Sequence, residues 1–260
     1  MKVLALVPVL ILLIETPAIA EDSAWLGTWK LDPSKSHLAG ETIAFHRSKN
    51  GMFRFTDNST FTEDFYIDGR EYRSAFDRTK IWRAVGDRAW DVETKMGGKL
   101  FETRHYQLSP DEGALTVTAT GTKPDGTEFK NLTELKRITG SKGLVGQWRT
   151  TELELSTPYF LVLSSPTTGV LNWNVLADKQ TFEGKPDGAP YPVSGPSVPK
   201  GLTMSFRYDS ATEISYVFRI NGKPETYGLQ TLAADGRSFS DVYWHPGKKS
   251  EKSSEIYVKQ

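Results

Sequence analysis

The chain is expected to fold as an all-β protein made of two tandem small antiparallel β-barrels, lipocalin-like and related by internal duplication. Three observations predict this. Apolar and polar residues alternate with a period of two along most of the chain, turn-forming pairs punctuate those runs, and landmarks of the first half return in the second. Gly27-Thr28-Trp29 recurs as Gly146-Gln147-Trp148, 119 residues on, and Asp68-Gly69 with Tyr72 recurs as Asp187-Gly188 with Tyr191 at the same offset. Gly98-Lys99 returns as Gly222-Lys223, and Leu108 with Asp111 as Leu232 with Asp235, both shifted by 124. Leu135-Lys136 returns as Val258-Lys259, shifted by 123.

The elements follow in order. Lys2, an apolar run over residues 3–14 and the closing Ala18-Ile19-Ala20 have the form of a secretory signal peptide, with cleavage expected after Ala20. The run is too short for the roughly 18–20 apolar residues of a spanning helix. A first unit is expected over residues 21–138, a short flexible linker over 139–143, and a second unit over 144–260. In the first, Trp90, Val92, Thr94 and Met96 alternate with charged residues, as a strand with one buried face requires. Leu115, Val117 and Ala119 alternate with threonines. In the second, Leu202, Met204, Phe206 and Tyr208 form one such face, and Ile214, Tyr216, Phe218 and Ile220 another. Asn50-Gly51, Asp125-Gly126, Asn221-Gly222 and similar pairs supply the positive φ of tight hairpins. About eight strands close around an interior wide enough for side chains or one small ligand. Closure also removes the edges that would template aggregation.

Composition narrows the function. The 260 residues carry 32 basic and 32 acidic side chains, and a neutral balance argues against nucleic acid or an anionic membrane surface. There is no cysteine, so no disulfide and no thiol chemistry. An outer-membrane barrel fits poorly with short strands and 25% charged residues.

The motif Gly27-x-Trp29 opening a first strand, with Lys136-Arg137 closing a last one, resembles the lipocalin pattern; Gly146-x-Trp148 and Lys259 repeat it. The stretch from Gly27 to Ser36 (GTWKLDPSKS) is similar to the opening of a family of exported bacterial proteins of unassigned function. So are Asp187-Gly188-x-x-Tyr191-Pro192 and Gly195-Pro196-x-x-Pro199-x-Gly201-Leu202. The resemblance implies that Trp29 and Trp148 plug the barrel floors with Arg137 and Lys259 across their indoles, a contact worth about 0.5–2 kcal/mol.

Chemistry-bearing motifs are sparse. His37, His46, His105 and His245 are scattered, no pair has zinc-site spacing, and no calcium loop or nucleophile elbow occurs. No metal or cofactor is expected. Glu63-Asp64 reads as a solvated acidic turn, its two side chains pointing to opposite faces. Asn58-Ser59-Thr60 and Asn131-Leu132-Thr133 match glycosylation sequons. The seven tryptophans and 12% aromatic residues leave cavity-lining candidates: Trp82, Trp90 and Tyr106 in the first half, Tyr191, Phe206, Tyr216 and Phe218 in the second. Residues 191–201, proline-rich, are expected to form a stiff lid or a fixed connection. The expected ligand is mostly apolar, because the interior faces read as poor in ionisable residues. The leading expectation is therefore an exported, periplasmic or secreted binding module for a small apolar ligand or an envelope partner. Insertion in a membrane is not expected. The alternatives are a barrel enzyme of isomerase or hydrolase type, although no catalytic constellation is found, and a scaffold acting through its surface. An acid inside one barrel without a counterpart in the other would favour the enzyme.

Overall fold

A computed structural model describes residues 24–37, 42–57, 62–74, 78–250 and 252–260. The signal segment, the sequon at Asn58 and the loop around Asp77 lie outside the described residues. The protein is all-β: two ten-stranded antiparallel sheets, one a closed barrel and the other nearly closed. The duplication is visible strand by strand. β6 (Arg78–Gly86), β7 (Ala89–Met96) and β8 (Lys99–Leu108) correspond end for end to β16 (Leu202–Ser210), β17 (Glu213–Ile220) and β18 (Lys223–Leu232). Each pair is offset by 124 residues.

The sheets do not follow the halves of the sequence at one strand each. β1 (Gly27–Leu31) lies in the closed barrel, between β12 (Phe160–Ser164) and β20 (Ser253–Lys259). Its repeat counterpart β11 (Val145–Glu154) lies in the other sheet, between β2 (Thr42–Arg47) and β10 (Glu128–Lys142). The two G-x-W strands are exchanged. This corrects the expectation that residues 21–138 and 144–260 each supply all the strands of one unit.

The cause is local. Residues 139–143 are not a flexible linker: β10 runs on to Lys142, which pairs with Val145 across a turn carrying Gly143 at φ 62°. So tight a turn folds β11 back along β10 and commits it to the first sheet. The chain crosses between sheets at residues 155–159, and again after Leu31. There the Asp32 side chain accepts from the Ser34 N–H, and Pro33 begins a one-turn 3-10 helix instead of continuing the ladder.

At each floor an indole is fully buried. Trp29 donates through Nε1 to the Trp25 carbonyl at 2.8 Å, and Trp148 to the Leu144 carbonyl at 2.9 Å. Lys259 Nζ lies 5.0 Å from the centre of the Trp29 ring, and the Arg137 guanidinium 4.0 Å from that of Trp148. The expected floor residues therefore meet, but Trp29 caps the barrel built from the second half and Trp148 the sheet built from the first. The pairs Trp29–Lys259 and Trp148–Arg137 also show that Lys259 is the counterpart of Arg137, not of Lys136. The spatial offset over these last strands is therefore 122 residues, since Leu135 and Lys136 stand where Tyr257 and Val258 do. The glycine of the motif is fixed by backbone: Gly27 and Gly146 hold φ 137° and 135°, and a Cβ on Gly146 would stand 2.1 Å from the Thr139 carbonyl oxygen.

The two sheets differ at one seam. β14 (Gln180–Gly184) pairs with β15 (Tyr191–Ser194) and closes the second barrel. Their counterparts β4 (Thr62–Phe65) and β5 (Glu71–Arg73) are the two ends of the first sheet and, among the described residues, do not pair.

Candidate functional site in the closed barrel

Strand alternation stacks the interior of the closed barrel in layers. Phe239 of β19 (Ser238–Trp244), Tyr257 of β20 and Ile214 and Leu232 of the facing strands form the floor layer with Trp29. Two residues along each strand, still on the inward face, stand Asp241, Glu255, Tyr216 and Gln230. Ladder pairing places Gln230 opposite Asp241 and Asp241 opposite Glu255, so three polar side chains lie side by side on adjacent strands. Tyr216 crosses the intervening strand to reach them. Its hydroxyl donates to Asp241 Oδ1 at 2.8 Å, while Gln230 Nε2 donates to Oδ2 at 2.8 Å. The crossing depends on Gly228, opposite Tyr216 in the ladder: a Cβ there would stand 2.0 Å from the ring's Cζ.

The cluster is buried. Asp241 is 7% exposed, Tyr216 5% and Gln230 1%, and Gln230 Oε1 has no hydrogen-bond partner. Burial pushes the Asp241 carboxyl up from 3.8 to about 7, with the neighbouring Glu255 adding to the rise. The Tyr216 and Gln230 hydrogen bonds oppose it without prevailing. Burial likewise raises the phenols of Tyr216, Tyr159 and Tyr257, and Tyr257 donates to Glu255 Oε2 at 2.7 Å.

Beside this cluster the barrel encloses a cavity of about 270 Å³, walled by Trp173, Phe182, Met204, Tyr216, Phe218, Tyr243 and other side chains. It lies just below the roughly 300–1,000 Å³ that ligand sites commonly span. It lies away from the Trp29 floor, toward the end bearing the Asn221-Gly222 turn. Tyr159, Tyr243, Glu255 and Tyr257 also line an adjoining groove of about 300 Å³, together with Leu31, Leu153 and Leu155. From the first sheet, Lys123 Nζ stands 6.0 Å from the Tyr159 ring centre, and the Asp125 N–H donates to the Ala177 carbonyl.

Of the second-half candidates, Tyr216 and Phe218 line the cavity. Phe206 is buried against Phe182 and Tyr208, and Tyr191 hydrogen-bonds Asp187 with its ring edge-on to Phe182. Tyr191 belongs to a wall strand, so residues 191–194 are no lid; the following loop packs Val198 onto the core. In the first half, Trp82 and Tyr106 pack together at 5.2 Å with Phe65 stacked on Trp82, a filled core. Trp90 is buried in the same core and borders a groove of about 530 Å³ with Phe53, Leu144 and Arg47.

The interiors are richer in ionisable residues than the sequence suggested. Glu63 is buried in β4 and ion-pairs with Lys80, while Asp64 faces outward to Arg54 at 2.6 Å. The two faces are as expected, but the pair sits in a strand and not in a solvated turn. Glu102 pairs with Arg104 at 2.6 Å on the same interior. Asp241, Glu255 and Gln230 were missed as site residues, although a signal existed. In Phe239-x-Asp241-x-Tyr243 an acid occupies the inward position between two aromatics. At the 124-residue offset the counterparts of Tyr216, Gln230 and Asp241 are Val92, Tyr106 and Val117, so the hydrogen-bonded cluster belongs to one barrel alone. Among the described residues no group of side chains is arranged to hold a metal ion. Compared with family models and with curated proteins, the chain matches none.

Proposed function

We propose that this is an exported, lipocalin-like binding module whose working site is the cavity of the closed barrel, taking a small and largely apolar ligand. The observation that carries the reading is asymmetry. Of two duplicated interiors, the first packs Phe65, Trp82 and Tyr106 against one another, whereas the second keeps an aromatic-walled cavity beside the hydrogen-bonded Asp241 cluster. Close packing is the default for interiors. A void flanked by Asp241 and Tyr216 is better explained by an occupant than by filling. The signal-like segment over residues 1–20 supports the address outside the cytoplasm.

A barrel enzyme is the second reading, and Asp241 favours it: this acid stands inside one barrel with Val117 as its counterpart in the other. A buried carboxyl near neutrality, hydrogen-bonded to a phenol and facing a cavity, is what a general acid or base requires.

Protein purified from its host and sprayed natively in a mass spectrometer should carry a bound small molecule. The neutral fluorophore N-phenyl-1-naphthylamine should bind the emptied protein and be excluded by Thr226→Trp, which fills the cavity. Equal binding by wild type and Thr226→Trp would remove the cavity as the site.

A further inference from the structure

We propose that the ligand of this cavity carries a protonated amine, held by the Asp241 and Glu255 carboxyl groups while the aromatic wall takes its apolar body. The inference rests on the cavity being a binding site and adds the chemical class of what binds there.

Four observations support it. The side chains lining the cavity include two carboxyl groups and no lysine, arginine or histidine. The partners of Asp241 are a phenol and an amide, both neutral, so a carboxylate there lacks a counter-charge among its hydrogen-bond donors. Each Asp241 oxygen accepts one of these bonds and retains a lone pair for another donor. Gln230 Oε1, buried behind the cavity lining beside Asp241, has no donor among the described residues. An ammonium has three donors and no acceptor, which suits such a set. Finally, Trp173, Tyr216 and Phe218 pack edge-to-face, at 6.0 Å and 5.4 Å between centres, and aromatic faces attract cations.

The charge logic fixes a pH dependence. Facing Asp241 are Tyr216 from β17 and Glu255 from β20, with Tyr257, Tyr159 and Tyr243 around them; the phenols are neutral throughout the physiological range. Below about pH 7 the empty site holds Asp241 as the acid. Binding the ammonium then converts it to the carboxylate and releases one proton to solvent. Above that pH no proton is released, and affinity reaches its plateau.

The test uses the full mature chain, titrated calorimetrically with three probes sharing one ring: 2-phenylethylamine, 2-phenylethanol and phenylacetate. At pH 8 the amine should bind at least tenfold more tightly than the alcohol, and phenylacetate should not bind. Between pH 8 and pH 6 amine affinity should fall about tenfold, with proton release at pH 6 read from two buffers of different ionisation enthalpy. Asp241→Asn should lose the preference for the amine while keeping the alcohol. Should that variant fail to fold, Glu255→Gln and the wild-type proton release carry the same test. If the alcohol binds as well as the amine, or N-phenyl-1-naphthylamine binds and none of the three probes does, the amine is refuted while the cavity stands. If nothing binds, naphthylamine included, both readings fall.

Discussion

Replacing Trp29 by alanine tests the strand exchange, because the tryptophan belongs to the first half of the sequence and caps the barrel of the second. Its indole is fully buried, packed at 4.9 Å against Phe239, with Lys259 over its face. Truncating a buried tryptophan costs about 3–5 kcal/mol. Two further losses place this site at the upper end. The Lys259 contact contributes about 0.5–1 kcal/mol where the cation is exposed, and the Trp25 carbonyl is left without its donor. At about 2–4 °C per kcal/mol for a chain of this size, the melting temperature should drop by about 10–20 °C. The decisive assay is hydrogen exchange read by mass spectrometry. Trp29→Ala should cost protection over residues 160–259 and leave 42–154 protected, whereas Trp148→Ala should do the reverse. Loss of protection over 42–142 in Trp29→Ala would refute the exchanged arrangement.

Three other perturbations have definite expectations. Gly228→Ala should push Tyr216 off Asp241 and destabilise by roughly 1–3 kcal/mol in a urea titration, as overpacking of a fitted interior does; a variant as stable as wild type would show that Tyr216 does not cross there. Asp241 is protonated in the folded state and ionised in the unfolded state between 3.8 and about 7, so it withdraws stability as pH rises through that window. Asp241→Asn should therefore gain on wild type by up to about 4 kcal/mol between pH 4 and pH 8, and a pH-independent difference would contradict the buried acid. In the first sheet, Lys80→Met should strand the buried Glu63 carboxylate at a cost of about 3–5 kcal/mol. Adding Glu63→Gln should recover most of that loss, and additivity of the two changes would mean the pair is not coupled.

Most of the secondary structure was legible because strand alternation and Asn-Gly or Asp-Gly turns are local signals. Trp29 and Trp148 could be placed at floors, with Lys259 and Arg137 near them, from what the resemblance of their motif implied. Which floor each one caps could not. That choice is made by the hairpin joining β10 to β11, in which Lys142 pairs with Val145 across a tight turn. The site was half legible. Tyr216 and Phe218 announced themselves by alternation, whereas Asp241 and Glu255 were passed over because inward positions were assumed apolar. Gly228 was silent for another reason: its role appears only when Tyr216 from the neighbouring strand is seen to lie across it.

The exchanged strand also decides when each barrel can be completed. Every strand of the first sheet has been made once residue 154 is in place, and its neighbours in space are mostly neighbours in sequence. The second barrel has no such luxury: β1 must wait for Lys259, its partner across the ladder, before the cylinder closes around Asp241. Non-local pairing of this kind is slow. Through that interval the strand carrying Trp29 can pair with β12 on one side only, and its other edge stays open, the kind of edge that another molecule can adopt. A chain stalled or clipped within β20 would hold a complete first sheet and an open second barrel. The bare edges of β1 and β19 could then pair with a strand of another molecule, turning the open seam into a route to oligomers.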